Sequence, residues 1–308
     1  MNEPLAWING RETPFSQLSL PVWDLGVVAG ASVTEMARTF RHRPFRLLQH
    51  LQRLETSCAE LGFKTPFSVR DMADAAERLV QENSALIDVH DDLGIVAFVT
   101  AGANPTYLGT ENLPGGATVV HTFRLPLELW RSAAEDGVRL TIPERRQISE
   151  NSQPVSHKTR NRLHWWLADK EADAVEAGSR ALLLDSSGLI TETSAACFFA
   201  VINGTIVTPR SHVLNSMSRR IVEEAAADCG FSFEHRDIAA DEVSAMEEAF
   251  LSSTPSGLLR VRSIDRYPIG TKDTRSVMPD LLAYWKKVAG LNPLHQILMR
   301  DGPPADAG

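Results

Sequence analysis

Apolar and polar positions follow two periods along this chain, and each period marks a different element. Between Phe45 and Gly62, Leu47, Leu48, Leu51, Leu54, Cys58 and Leu61 recur at the three- and four-residue spacing of one helix face. Gly62 supplies a stop, because glycine takes the left-handed backbone that ends a helix at no steric cost. A second helix is predicted from about Ser68, followed by strands near 94–100 and 117–123. Asn-Gly pairs at 9–10 and 203–204 favour tight hairpin turns. The first marks an N-terminal hairpin, and the second joins 198–202 to 205–208.

Pro126 and Gly137 bracket a segment that reads as a crossing between two domains. The predicted division is a smaller domain over 1–125, a connection over 126–136 and a larger domain over 137–300. The tail at 301–308, with its prolines and glycines, is predicted to be disordered. Within the larger domain a strand near 138–142 precedes a helix over about 161–178. Residues 181–184 and 189–191 form a hairpin around Ser186-Ser187-Gly188. A helix over about 218–229 stops at Gly230, and a helical stretch at 241–248 feeds a strand at 249–252. The last helix covers about 276–289. No internal repeat or low-complexity tract interrupts this pattern.

Composition narrows the function classes. A chain of 308 residues is long enough for two domains with substantial cores, and 43% apolar with 23% charged residues is ordinary for a globular protein. The net charge of -8 counts against a nucleic-acid or membrane-surface partner, since both favour a basic face. The densest basic stretch, 38–46, is short and broken by apolar residues. Cys58, Cys197 and Cys229 are odd in number and lack metal-ligand spacing, which fits a reducing, cytoplasmic setting and no metal site. The N-terminus lacks the basic-then-apolar pattern of a signal peptide, and no apolar stretch is long enough to span a bilayer.

The candidate chemistry lies in scattered polar residues. Lys158 sits in Pro154-Val155-Ser156-His157-Lys158-Thr159-Arg160-Asn161, ahead of a predicted helix that limits where its amine can point. Glu192 follows the apolar pair Leu189-Ile190, Arg53 lies on the helix of recurring leucines, and Ser218 and Thr254 occupy small polar turns. A lysine forms a Schiff base, a carboxylate holds a pyridinium, and an arginine with hydroxyls holds a phosphate. Together these point to pyridoxal phosphate. Each residue also has an ordinary reading. Lys158 suits a solvated surface, Glu192 an exposed loop, Arg53 a snorkelling side chain, Ser218 a helix cap and Thr254 a turn.

From Asp24 to Ile269 the chain resembles the class IV aminotransferases, the fold-type IV pyridoxal-phosphate enzymes. The resemblance rests on Asp24-Leu25-Gly26 through Glu35, Leu48-Gln49-His50-Leu51-Gln52-Arg53-Leu54 and Lys158-Thr159-Arg160-Asn161. It rests also on Thr191-Glu192-Thr193, Leu214-Asn215-Ser216-Met217-Ser218-Arg219 and Phe250-Leu251-Ser252-Ser253-Thr254. It implies an α/β and α+β architecture, with a smaller N-terminal α+β domain and a larger C-terminal cofactor-binding domain, in a homodimer. It implies Lys158 as the Schiff-base lysine and Glu192 as the partner of the pyridine nitrogen. Arg53, Met217 through its backbone amide, Ser218 and Thr254 would hold the phosphate. The implied substrates are an amino acid and a 2-oxo acid. A lyase of the aminodeoxychorismate type and a non-catalytic cofactor-binding protein are the alternatives.

Several positions depart from the family pattern. Cys197 stands where asparagine is common, and Ser216 replaces the usual glycine before the phosphate-binding helix. Ala29 and Thr34 occupy places where aromatic residues often face substrate. Thr100-Ala101-Gly102 lacks the arginine of the corresponding strand in D-amino-acid aminotransferases.

Overall fold

A computed structural model describes residues 3–270 and 275–299, so the 301–308 tail lies outside the described residues. The chain divides into two compact units, Met1–Leu125 with His157–Arg162, and Pro126–Ser156 with Leu163–Gly308. Residues 157–162, expected within the larger domain, group with the first unit because backbone hydrogen bonds hold them there. Thr34 N–H donates to Lys158 O at 2.8 Å, and Arg160 N–H donates to Ser32 O at 3.0 Å. Segment 126–136, expected as a plain connection, holds a 3-10 turn, Leu127–Trp130, and a short helix, Arg131–Asp136, of the second unit.

The first unit is built on a six-stranded sheet. In spatial order its strands are Arg11–Pro14, Leu5–Ile8, Thr118–Arg124, Leu93–Thr100, Ser32–Phe40 and Arg43–Phe45, and all neighbours are antiparallel. Helices Leu47–Leu61 and Val69–Ser84 share a core with the sheet. Leu51, Leu54, Met72 and Leu79 pack there with Val33, Ile95 and Val99, and each such side chain contributes about 1.5–3 kcal/mol by leaving water. Leu48 is 52% exposed, so the apolar stripe is narrower than the leucine spacing suggests. Gly62 ends the first helix at φ 75°. Ser68 and Asp71 close a reciprocal capping box at the start of the second.

The strand Ser32–Phe40 escaped the sequence pattern. It is buried at nearly every position, so it shows no alternation, and it carries Glu35 and Arg38 inside. Buried charges of this kind persist only when paired. Arg38 Nη2 lies 3.3 Å from Asp92 Oδ2, while Thr39 Oγ1 donates to Asp92 Oδ1 at 2.7 Å.

The second unit carries a mixed sheet. Its path runs Phe233–Arg236, Thr205–Pro209, Cys197–Ile202, Glu248–Ser253, Gly257–Ile264, Val138–Thr141, Arg180–Leu184 and Ile190–Thr193, with Tyr267–Pro268 paired to Gly257–Ile264. Helices Leu163–Val175, Met217–Cys229 and Met278–Ala289 each fall within about two or three residues of the predicted bounds. The predicted helix at 241–248 is a 3-10 stretch, Ala240–Ala245. Both Asn-Gly turns are hairpin turns with positive φ at each residue, 48° and 86° at Asn9-Gly10 and 50° and 72° at Asn203-Gly204. Among the described residues no helix is long and apolar enough to cross a membrane.

Candidate active site

In the first unit, Lys158 lies on an extended segment laid against the start of Ser32–Phe40, with Thr159 bridged to Val33. The flanking His157 is tied down as well, its Nδ1 3.1 Å from Ser57 Oγ and its Nε2 3.0 Å from Glu60 Oε2. The segment is therefore fixed on both sides of a half-buried lysine. Gly30, at φ 65°, adapts the entry to this strand, since a Cβ there would sit 3.4 Å from Asn161 in a strained backbone.

Arg53 lies where the leucine helix passes the strand, and Glu35 meets it. Arg53 Nε donates to Glu35 Oε1 at 2.6 Å and Nη2 to Oε2 at 2.7 Å. His50 Nδ1 lies 2.9 Å from the same Oε2. A carboxylate only accepts, so His50 presents an N–H to it. Burial alone would raise the Glu35 pKa, but Arg53 and His50 outweigh it and bring the group down to about 2. Burial lowers the His50 pKa against the pull of Glu35, which favours neutral imidazole. The ordinary reading of Arg53 as a snorkelling surface residue therefore gives way to a fixed, paired guanidinium.

The Asp-x-Gly segment has a structural role of its own. Asp24 Oδ1 accepts from Gly26 N–H at 2.7 Å, and its Oδ2 accepts from Thr100 Oγ1 at 2.8 Å. A Cβ on Gly26 would fall 2.7 Å from Thr100 Cγ2, so only glycine fits this joint.

In the second unit, Glu192 lies within the strand Ile190–Thr193 rather than just past it, and it is 8% exposed. Its Oε1 accepts from Leu214 N–H at 3.2 Å. The neighbouring threonines hold the strand in place. Thr191 Oγ1 donates to Leu183 O at 2.8 Å and Thr193 Oγ1 to Ala196 O at 2.9 Å.

The helix Met217–Cys229 is capped by Ser216, which corrects the reading of Ser218 as a possible cap. Ser216 Oγ accepts from Ser218 N–H at 3.2 Å and lies 2.8 Å from Ser218 Oγ. Ser218 Oγ donates to Ser252 O at 3.1 Å, joining the helix start to the strand Glu248–Ser253. Thr254 begins the turn after that strand and is half-buried. Met217 and Ser218 thus occupy the first turn of a thirteen-residue helix, close to the strand that leads to Thr254. A cavity of about 390 Å³ in this unit is lined by Thr193, Ser194, Ser253 and Ser256 among others.

These donors suit pyridoxal phosphate. A helix N-terminus with adjacent hydroxyls is matched to a phosphate. A buried carboxylate such as Glu192 has the chemistry to accept a ring N–H, and a lysine such as Lys158 has the chemistry to form an imine. Sequence reasoning named all six of these residues but not the part played by Glu35 and His50. Their only signal was their place in the two segments, through Glu35 and around Arg53, that carry the family resemblance.

The amino-transferase class IV family profile matches residues 32–264, and the chain belongs to that family. The probable branched-chain-amino-acid aminotransferase of Rickettsia felis is 25% identical over 267 residues, spanning 86% of this chain and 88% of its own. The D-alanine aminotransferase of Bacillus licheniformis is 27% identical, spanning 85% of this chain and 89% of its own. The fold matches the branched-chain amino acid aminotransferase from Thermobaculum terrenum, solved in its PLP form, with a TM-score of 0.80 at 23% identity over 94% of this chain and 95% of that one. The protein is thus a pyridoxal-phosphate-dependent aminotransferase of fold type IV, which exchanges an amino group between an amino acid and a 2-oxo acid.

Proposed function

We propose that Lys158 anchors the cofactor and carries the proton in this exchange. The observation behind this reading is the backbone clamp on Lys158, whose carbonyl accepts from Thr34 N–H at 2.8 Å while His157 is tied to Ser57 and Glu60. A fixed backbone narrows the region that the amine can reach, which reduces the ordering needed at each turnover. Bound pyridoxal phosphate supplies an electron-withdrawing ring that acidifies the substrate Cα–H bond. Lys158 Nζ would be the group that takes up the substrate Cα proton and holds it for return. Glu192 holds the pyridine N–H and so keeps the positive charge on that nitrogen. Arg53, the Met217 amide, Ser218 and Thr254 hold the phosphate, with Arg53 aimed by Glu35.

The reading includes a homodimer working in the cytoplasm, with a smaller N-terminal domain that takes in residues 157–162 and a larger domain that begins at Pro126. Relatives named for branched-chain amino acids and for D-alanine make both stereochemical series the substrates to screen.

Absorbance of the cofactor-supplemented protein, before and after borohydride, tests the anchor. A yellow band that reduction fixes in the wild type but not in Lys158→Ala supports the reading, and its absence from the wild type overturns it. Pyruvate release from aminodeoxychorismate without an added 2-oxo acid would reassign the chemistry to a lyase.

A further inference from the structure

Arg160, two residues beyond Lys158, is a cation that the fold positions but does not neutralise. Its guanidinium carbon lies 3.8 Å from the centroid of the Phe98 ring. Among the described residues its side chain has no hydrogen bond and no ion pair. Most exposed arginines are either paired or free to roam. This one is held over an aromatic face, which attracts the cation and leaves its N–H groups without a protein acceptor among the described residues.

Strand register places Arg160 among its neighbours. Thr159 is directly opposite Val33, so these two share one face of the sheet, and Lys158 and Arg160 both fall on the other. Thr34 and Phe98 are cross-strand partners, as are Val96 and His121, and Phe98 faces Val119 two residues before His121. Phe98, Val119 and His121 therefore lie on the same face as Lys158 and Arg160.

His121 supplies a second polar group there. Its Nδ1 is buried with no hydrogen-bond partner among the described residues. Burial, with the charge of Arg160 adding to it, pushes the ring down to about 4, so it is neutral at pH 7. Among the described residues no carboxylate forms an ion pair with either group. A buried polar atom without a partner, beside an ordered cation, calls for an explanation, and a bound anion supplies one.

Resting on the assignment of Lys158 as the cofactor anchor, we propose that Arg160 is the substrate-carboxylate receptor of this enzyme, seated on Phe98 and flanked by His121. A planar guanidinium presents two parallel N–H groups, which matches a carboxylate. The carboxylate is either the one beside the reacting carbon or a second one on a dicarboxylic substrate, and the two share the same chemistry.

Calorimetric titration of the cofactor-loaded protein with pentanoate and with glutarate separates the two sources. Neither probe reacts, so the readout is binding and not turnover. Arg160→Gln is expected to weaken binding about ten- to hundredfold, the range for a charge-assisted pair. Loss for both probes assigns the carboxylate beside the reacting carbon; loss for glutarate alone assigns the remote one. Arg160→Lys keeps the charge without the planar fork and is expected to fall between wild type and Arg160→Gln. Equal binding by wild type and Arg160→Gln, with the thermal transition unchanged, overturns the proposal. Failure of the wild type to bind either probe overturns it as well. The Lys158 reading fails independently: a protein with no borohydride-fixed band but with Arg160-dependent glutarate binding loses that reading and keeps the anion site.

Discussion

Arg53 and Glu35 meet as a two-pronged ion pair, Nε to Oε1 at 2.6 Å and Nη2 to Oε2 at 2.7 Å, with Glu35 wholly inside. The pair makes Arg53 a fixed group whose orientation is set by the strand Ser32–Phe40. Arg53→Lys keeps the charge but replaces a planar fork with a single ammonium, which cannot satisfy both Glu35 oxygens and a phosphate. Cofactor affinity is expected to fall by about tenfold or more, read as the dissociation constant from absorbance titration.

The same pair gives the fold an acid limit. Glu35 has a folded pKa of about 2 against an ordinary 4.5, so its contribution is fully present above 4.5. That contribution declines as pH falls from 4.5 towards 2, because the unfolded chain then binds the proton more readily. Wild type is expected to lose on the order of 3 kcal/mol across this window, by the linkage between pKa and stability. Urea midpoints measured from pH 6 down to pH 2.5 should show a clearly shallower slope for Glu35→Gln. Equal slopes would remove Glu35 as the cause.

Arg38 and Asp92 form a second buried pair in the first unit among the described residues, at 0% and 1% exposure. Desolvation lowers the Arg38 pKa to about 10 even with Asp92 opposing it, so the guanidinium stays charged at neutral pH. Asp92→Ala leaves that charge without its partner and also removes the acceptor for Thr39 Oγ1 and His42 N–H. A loss of about 3–5 kcal/mol is expected in equilibrium unfolding.

Ser216 acts as the cap of Met217–Cys229. Ser216→Ala is expected to cost about 1 kcal/mol in unfolding free energy, and Ser216→Gly only a few tenths. Similar losses for the two variants would show that the Ser216 Oγ to Ser218 N–H contact carries little.

Chemistry should separate from binding in two variants. Lys158→Ala and Glu192→Gln are each expected to lower kcat by about 10²–10⁴, the range for removing a positioned acid–base group or its electrostatic support. Single-turnover conversion of the cofactor by an amino acid, followed by absorbance, is the measurement. A Glu192→Gln variant within a few-fold of wild type would return Glu192 to the role of a structural carboxylate holding Leu214 N–H.

Local signals carried much of the architecture. The leucine spacing before Gly62, the capping serine at Ser68 and the two Asn-Gly turns each act through neighbouring backbone, so they are legible in a short stretch of residues. The strand Ser32–Phe40 was not legible, because burial on both faces removes alternation and its charged residues resemble a surface segment until their partners are known. Glu192 was displaced by one element end, since the turn at 186–188 locates a hairpin but not the last paired residue.

What the sequence by itself determined was chemical identity: a lysine, a carboxylate, an arginine and hydroxyls in family order, together with the turns and caps that need only near neighbours. Tertiary structure alone decided which of those groups are held and by what. Glu35 reaches Arg53 across 18 residues, Ser252 reaches Ser218 across 34, and Ser32 and Thr34 reach the Lys158 segment through backbone hydrogen bonds. Phe98 likewise seats Arg160 from another strand. Pairings of this kind depend on sheet register and burial, which form only when distant segments exclude water together, and no local pattern encodes them.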